Sequence, residues 1–237
     1  MKLSYGVDPE LFVYDGAKDM FVSAHDLIPG TKEVPFGVRW GAIQVDGVAA
    51  EFNIIPAYTK NEFLDYIDWV RNELLSHVRQ NLPKAELMAW PTVFFDQEYF
   101  LSLPEEARLL GCSPDFDAYT GLENDPPSTD RPMRTGSGHV HIGWTDYADP
   151  NDPEHFKTCC ELVKKLDETV FEASLKWDKD TTRRTLYGKK GSFRPKFYGV
   201  EYRPLSNAYL SDRSMKLTGR VYDLVSETAE RFFGEMK

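Results

Sequence analysis

What this chain has little of narrows its chemistry before any motif is read. Three cysteines, Cys112, Cys159 and Cys160, are too few for a disulfide framework. The adjacent pair falls in an expected helix, where the two thiols point in different directions. No apolar run approaches the roughly 20 residues needed to span a bilayer. The opening Met1-Lys2-Leu3-Ser4-Tyr5-Gly6 lacks the apolar stretch of a secretory signal. A reducing, cytoplasmic setting is therefore expected, with no membrane partner. Basic residues are also in deficit, 28 against 38 acidic ones for a formal net charge of −10. That balance argues against broad nucleic-acid or anionic-membrane binding. Internal repeats, low-complexity tracts and interdomain linkers are absent as well. What remains, 41% hydrophobic and 28% charged, is the composition of an ordinary globular chain. At 237 residues it can build one substantial core, so a single domain over 1–237 is expected.

Alternation and turn signals predict strands over Leu3–Tyr14 and Gly37–Ile55. Phe63, Ile67, Val70, Leu74 and Val78 recur at helical spacing between Thr59 and Gln80, with Thr59 or Asn61 as the cap. Leu87–Phe95 reads as a strand interrupted by Pro91. The stretch 111–134 is rich in Asp, Pro, Ser and Thr without periodicity, and is expected to be a lid-like loop. Gly136–Trp144 and Phe197–Pro204 return to strand. Asp152–Trp177 and Lys216–Phe233 read as amphipathic helices. An α+β domain follows, an antiparallel sheet with helices packed on one face.

Four segments carry polar pairs at spacing two: Asp8-Pro9-Glu10, Glu51-Phe52-Asn53, His139-Val140-His141 and Glu201-Tyr202-Arg203. On a strand, spacing two puts both side chains on one face. Val7, Leu11, Val13, Val140, Ile142, Val200 and Tyr202 then form the opposite face, suited to packing against helices. If the strands neighbour each other, carboxylates, imidazoles and a guanidinium converge on one sheet surface, a divalent-cation and phosphate site. Asp46-Gly47 precedes the second pair as a turn or a further ligand. Gly47, Ala49 and Ala50 leave room for close approach beside Glu51 and Asn53. Gly136-Ser137-Gly138 does the same before the histidines, whose geometry suits metal ligation or phosphate contact. Between Arg183 and Arg194 lie five basic residues in a dozen, with Gly and Ser, which suits a polyphosphate. A solvated basic loop is the plainer reading of that cluster, and a structural ion pair that of Glu201 with Arg203.

Taken in order, Gly6-Val7-Asp8-Pro9-Glu10-Leu11-Phe12, Asp46-Gly47, Glu51-Phe52-Asn53, Gly138-His139-Val140-His141 and Glu201-Tyr202-Arg203-Pro204 resemble the catalytic sheet of the glutamine synthetase superfamily. Within it they look most like the phage-type COOH·NH2 ligases of type 2. The resemblance implies a glutamine synthetase catalytic-domain-like fold. It also implies an ATP-dependent ligase that joins a carboxylate to an amine through an acyl-phosphate. It assigns Asp8, Glu10, Glu51, Glu201 and His139 or His141 to two Mg²⁺ or Mn²⁺ ions, with Asp46 as a further ligand. Arg183, Arg184, Lys190 and Arg194, together with Asn53, would hold the nucleotide, Arg203 the transferring phosphoryl group, and Glu51, Glu201 and Arg203 the chemistry. Glutamine synthetases have one more residue between the Gly-Ser-Gly and the first histidine, which leaves the choice of histidine open. The chain starts almost at the first catalytic strand, without the small N-terminal domain that helps glutamine synthetases bind ammonium. The acceptor is therefore expected to be larger than ammonia: an amino acid, a peptide or a protein side chain. If the protein is phage-encoded, the cytoplasm is the host's.

Two other classes use the same residues. A metal-dependent phosphoester hydrolase would activate water without ATP. A cation-binding interaction protein would bind metal but no nucleotide.

Overall fold

The computed structural model describes residues 2–108, 115–128 and 131–236. The chain begins with β1 (Ser4–Val7), β2 (Glu10–Asp15), β3 (Met20–Val22), β4 (Phe36–Val38), β5 (Gly41–Asp46) and β6 (Ala49–Ile54). Helix α1 (Lys60–Asn81) follows, then β7 (Ala85–Met88), β8 (Thr92–Phe94), α2 (Gln97–Ser102) and α3 (Glu105–Arg108). Next come β9 (Phe116–Asp117), β10 (Met133–Thr135), β11 (Val140–Gly143) and α4 (Pro153–Leu166). A π turn (Asp167–Phe171) carries α4 into α5 (Glu172–Ser174). The chain closes with α6 (Thr181–Leu186), β12 (Ser192–Lys196), β13 (Gly199–Tyr202) and α7 (Lys216–Glu235).

Pairing is antiparallel throughout, in two main sheets. The first runs β1-β11-β13-β12-β9 and the second β3-β2-β6-β5-β4, with β7 also on β2 and a separate β8–β10 pair. The fold is thus α+β, antiparallel sheets with helices. The expected strand over Leu3–Tyr14 is two strands, one in each sheet. Pro9 has no amide to donate to a ladder, and the chain crosses between sheets at Asp8-Pro9. The seam is stitched by the Glu10 amide donating to the Ser137 carbonyl at 2.9 Å and the Tyr5 amide to the Ala57 carbonyl at 2.8 Å. Pro91 likewise divides Leu87–Phe95 into β7 and β8, which join different sheets. Strand β12 was hidden in the basic stretch before Glu201, whose charges mask its alternation.

Helix α1 forms where its spacing requires. Thr59 accepts from the Glu62 amide at 3.2 Å while Glu62 accepts from the Thr59 amide at 3.0 Å, a reciprocal capping box. Its buried stripe is Phe63, Ile67, Val70, Leu74 and Val78. At about 1.5–3 kcal/mol per fully buried side chain, that stripe supplies a gross driving force near 10 kcal/mol before chain entropy is set against it. The stripe packs on β5, β6 and β7, while α4 packs on β12 and β13, and α7 on both helices. All seven residues expected on the helix-facing side of the strands, from Val7 to Tyr202, are buried in this one continuous core.

The π turn begins at Asp167. It brings Asp167 fully inside, where the Tyr202 hydroxyl donates to its carboxylate at 2.7 Å. Burial raises the Asp167 carboxyl to about 6. Tyr202 lies between Glu201 and Arg203, so this bond pins from behind the strand that carries both. Of the stretch 111–134, residues 111–114 and 129–130 lie outside the described residues, as does Cys112. Within the rest, β9 pairs with β12 and β10 with β8.

Candidate functional site

Register delivers the site. His141 stands opposite Glu201 across β11 and β13, and Glu201 opposite Arg194 across β13 and β12. On the second sheet Glu10 stands opposite Glu51, and Gln44 opposite Glu51. The acids therefore come from two sheets meeting at the Asp8 seam, and not from one sheet surface as the sequence suggested.

His139 Nδ1 lies 3.2 Å from Asp8 Oδ1 and 3.3 Å from Glu201 Oε1. Candidate ligand atoms of Asp8, His139 and Glu201 all fall within 4.8 Å of one another. His139 Nε2 meets the Tyr187 hydroxyl at 3.2 Å, so a proton on Nε2 leaves the Nδ1 lone pair facing the two carboxylates. Burial, reinforced by the Arg203 charge, pushes His139 down to about 4, so the ring is neutral at physiological pH. His141 Nε2 lies 3.2 Å from Asp8 Oδ2, and its Nδ1 meets the Tyr198 hydroxyl. Geometry therefore distinguishes the two histidines: His139 belongs to the ligand group and His141 stands beside it.

The donor set fits a divalent cation. Glu51 Oε2 is buried without a hydrogen-bond partner, a costly arrangement unless an ion or ligand meets it. Burial, with repulsion from Asp46, raises Glu10 to about 7, although the Ser137 amide donates to it at 3.0 Å. Glu51 is held well above the ordinary carboxylate range by burial and then by Asp8, Asp46 and Glu10. Two carboxylates, an imidazole and an oxygen-rich surround suit Mg²⁺ or Mn²⁺.

Glu201 is fully buried among cations. Arg203 donates to Oε1, Lys196 approaches Oε2 at 2.8 Å and Arg194 at 3.2 Å. His139, Lys196 and His141 hold it below the usual carboxylate range against burial and the Asp8 charge, which push upward. Arg203 also donates from Nε to Asp115 at 2.9 Å and lies over the Tyr187 ring. Gly138 makes this possible: a Cβ there would sit 2.4 Å from the Ser206 carbonyl, blocking the turn after Arg203 from closing on the histidine strand.

A cavity of about 550 Å³ opens onto Asp8 and His141, beside these groups. Asp8, Glu51, Asn53 and His141 line its polar side, Lys32, Arg194 and Lys196 add positive charge, and Ile54, Pro56 and Phe197 give apolar wall. A smaller cavity of about 110 Å³, lined by Asp115, Glu123, Asp125 and Tyr187 among others, reaches Arg203 through Asp115 and Tyr187.

Three of the residues assigned to nucleotide are committed elsewhere. Arg183 is wholly buried, donating to the carbonyls of Pro204 and Leu205 at 2.9 Å each and of Arg203 at 3.4 Å. It shapes the turn after β13 and does not face the cavity. Arg184 donates to the Asp180 and Asp178 carbonyls and pairs with the Asp178 carboxylate at 3.1 Å. Lys190 pairs with Glu172 at 3.0 Å on the exterior. Local charge density cannot reveal that an arginine turns inward to satisfy main-chain carbonyls. Asp46 pairs with Lys32 at 2.9 Å. Sequence reasoning passed over Lys32, Asp115, Tyr187, Lys196 and Tyr198. Of these only Lys196, at spacing two from Arg194, carried a strand signal. No protein-family model matches the chain, and no curated protein sequence matches it. Among the described residues, no helix is long and apolar enough to cross a membrane.

Proposed function

We propose that the protein is an ATP-dependent carboxylate–amine ligase with a glutamine synthetase catalytic-domain-like sheet, related to the phage-type COOH·NH2 ligases of type 2. The observation that carries this reading is a single arrangement. A cavity of nucleotide size and cationic lining ends on Asp8 and His141, and Arg194 and Lys196 link its wall to the Glu201–Arg203 pair. A volume of about 550 Å³ lies within the range of small-molecule sites.

On this reading Ile54, Pro56 and Phe197 pack against the base, and Arg194 and Lys196 neutralise the triphosphate. Asp8, His139 and Glu201 would hold a divalent ion, which neutralises phosphate charge and orients its oxygens for in-line transfer. Arg203, buried and aimed by Asp115 and Glu201, holds the transferring phosphoryl group. The substrate carboxylate oxygen attacks the γ-phosphorus and ADP departs. The amine nitrogen then attacks the acyl carbon, the C–O bond breaks and phosphate leaves. Glu51, on the wall of the same cavity, would take the proton the amine sheds once its own carboxyl is ionised. The smaller, acid-lined cavity gives an amine a separate approach to Arg203.

Hydroxylamine tests this without knowledge of the natural amine. Incubating the protein with Mg²⁺, ATP, hydroxylamine and pooled carboxylic acids is expected to yield hydroxamate and ADP in equal amounts. Phosphate release from simple phosphoesters in the absence of ATP would instead favour the hydrolase.

A further inference from the structure

The acids of this site fall into two groups. Asp8 and Glu201 draw together with His139. Glu10, Asp46 and Glu51 stand alongside on β2, β5 and β6, yet among the described residues they do not close into a second such group. A cation of the chain itself reaches them. The Lys32 ammonium lies 2.9 Å from Asp46 Oδ2 and lines the cavity beside Glu51.

The backbone holds Lys32 in that place. Gly30 has φ +88°, and a Cβ on it would lie 2.5 Å from the Ile43 carbonyl and 2.6 Å from the Phe36 amide nitrogen. Glycine alone lets the loop press this closely on β5, where the Val45 amide donates to the Gly30 carbonyl at 3.2 Å. The Thr31 amide donates to the Val34 carbonyl at 3.0 Å, closing the turn that contains Lys32. The turn places the Lys32 backbone next to β5, within reach of Asp46.

We propose that Lys32 is the resident cation of the Glu10–Asp46–Glu51 group, so that the protein takes a single tight divalent ion, at Asp8, His139 and Glu201. The proposal rests on the metal-site reading above and departs from the two-cation arrangement the family resemblance implies. An ammonium supplies a compact positive charge with three donors. It reaches the acids on its own stem, whereas Mg²⁺ must shed tightly held water to be bound by them.

Mn²⁺ alone, without nucleotide, is the probe, titrated into the full chain with free ion counted by electron paramagnetic resonance. The unsubstituted protein is expected to hold a single tight ion, and Lys32→Met to hold a second. Lys32 is 46% exposed, so the fold does not depend on it; Lys32→Gln must behave alike. Two tight ions in the unsubstituted protein, or no gain in either variant, would overturn the proposal. No Mn²⁺ in any of the three proteins would defeat the metal-site reading itself and this proposal with it.

Discussion

Saturating Mn²⁺ is expected to raise the melting temperature of the protein by about 5–10 °C. Binding at roughly 100 times Kd adds about 2.7 kcal/mol to the folded state, and a domain of this size gains about 2–4 °C per kcal/mol. The pH dependence tests whether a neutral His139 is a ligand. A histidine at its ordinary value near 6.5 costs metal affinity about tenfold at pH 5.5, because a protonated ring offers no lone pair. His139 is pushed down to about 4 and is already neutral there, so the rise at pH 5.5 should match that at pH 7.5. Proton competition then sets in only as the pH falls toward 4. A rise halved at pH 5.5 would mean that the ring is not held neutral by burial. Asp8→Asn should lose the metal response and also melt lower than the unsubstituted protein without metal, since His141 and His139 hold the Asp8 carboxyl well below its ordinary range against burial. The metal response is therefore the change in melting temperature on adding Mn²⁺ to each protein.

Arg203→Gln is expected to cut turnover by on the order of 10³-fold, the scale at which an arginine stabilises a transferring phosphoryl group. Nucleotide affinity should change far less, because Arg194 and Lys196 line the cavity independently of it. The substitution also breaks the buried Arg203–Asp115 pair, leaving Asp115 with the Asn124 amide, so the fold should lose about 3 kcal/mol. Turnover is best followed as hydroxamate formation well below the melting range. Arg203→Lys should restore the charge but not the fork that joins Asp115 to Glu201, recovering stability more than rate. Equal losses of affinity and turnover would reduce Arg203 to a structural partner of Glu201.

Much of this was open to inspection in the sequence, for reasons that differ by element. Helix α1 was legible because its cap, Thr59, and its stripe, Phe63 to Val78, are local and periodic. The pairs His139–His141 and Glu201–Arg203 were legible because a strand has period two, and their helix-facing partners Val140, Ile142, Val200 and Tyr202 are apolar. The seam at Asp8 was half legible: Pro9 announced an irregularity, but nothing local says that a chain leaves one sheet for another there. Lys32 and Asp115 could not be found, because each reaches the site from a loop. Lys32 depends on the φ of Gly30, and Asp115 lies 88 positions from Arg203. Arg183 misled for the converse reason. A buried guanidinium that satisfies three carbonyls and a surface guanidinium that meets a phosphate are written with the same letter.

The central proposal is that the large cavity takes a nucleotide through a divalent ion held by Asp8, His139 and Glu201. Calorimetric titration with ATP, with and without Mg²⁺, on the unsubstituted protein and on Glu201→Gln addresses it directly. Binding that requires Mg²⁺ and fails in Glu201→Gln is the predicted result. No heat at millimolar ATP with Mg²⁺ present, or equal binding without the metal and in the variant, would contradict it.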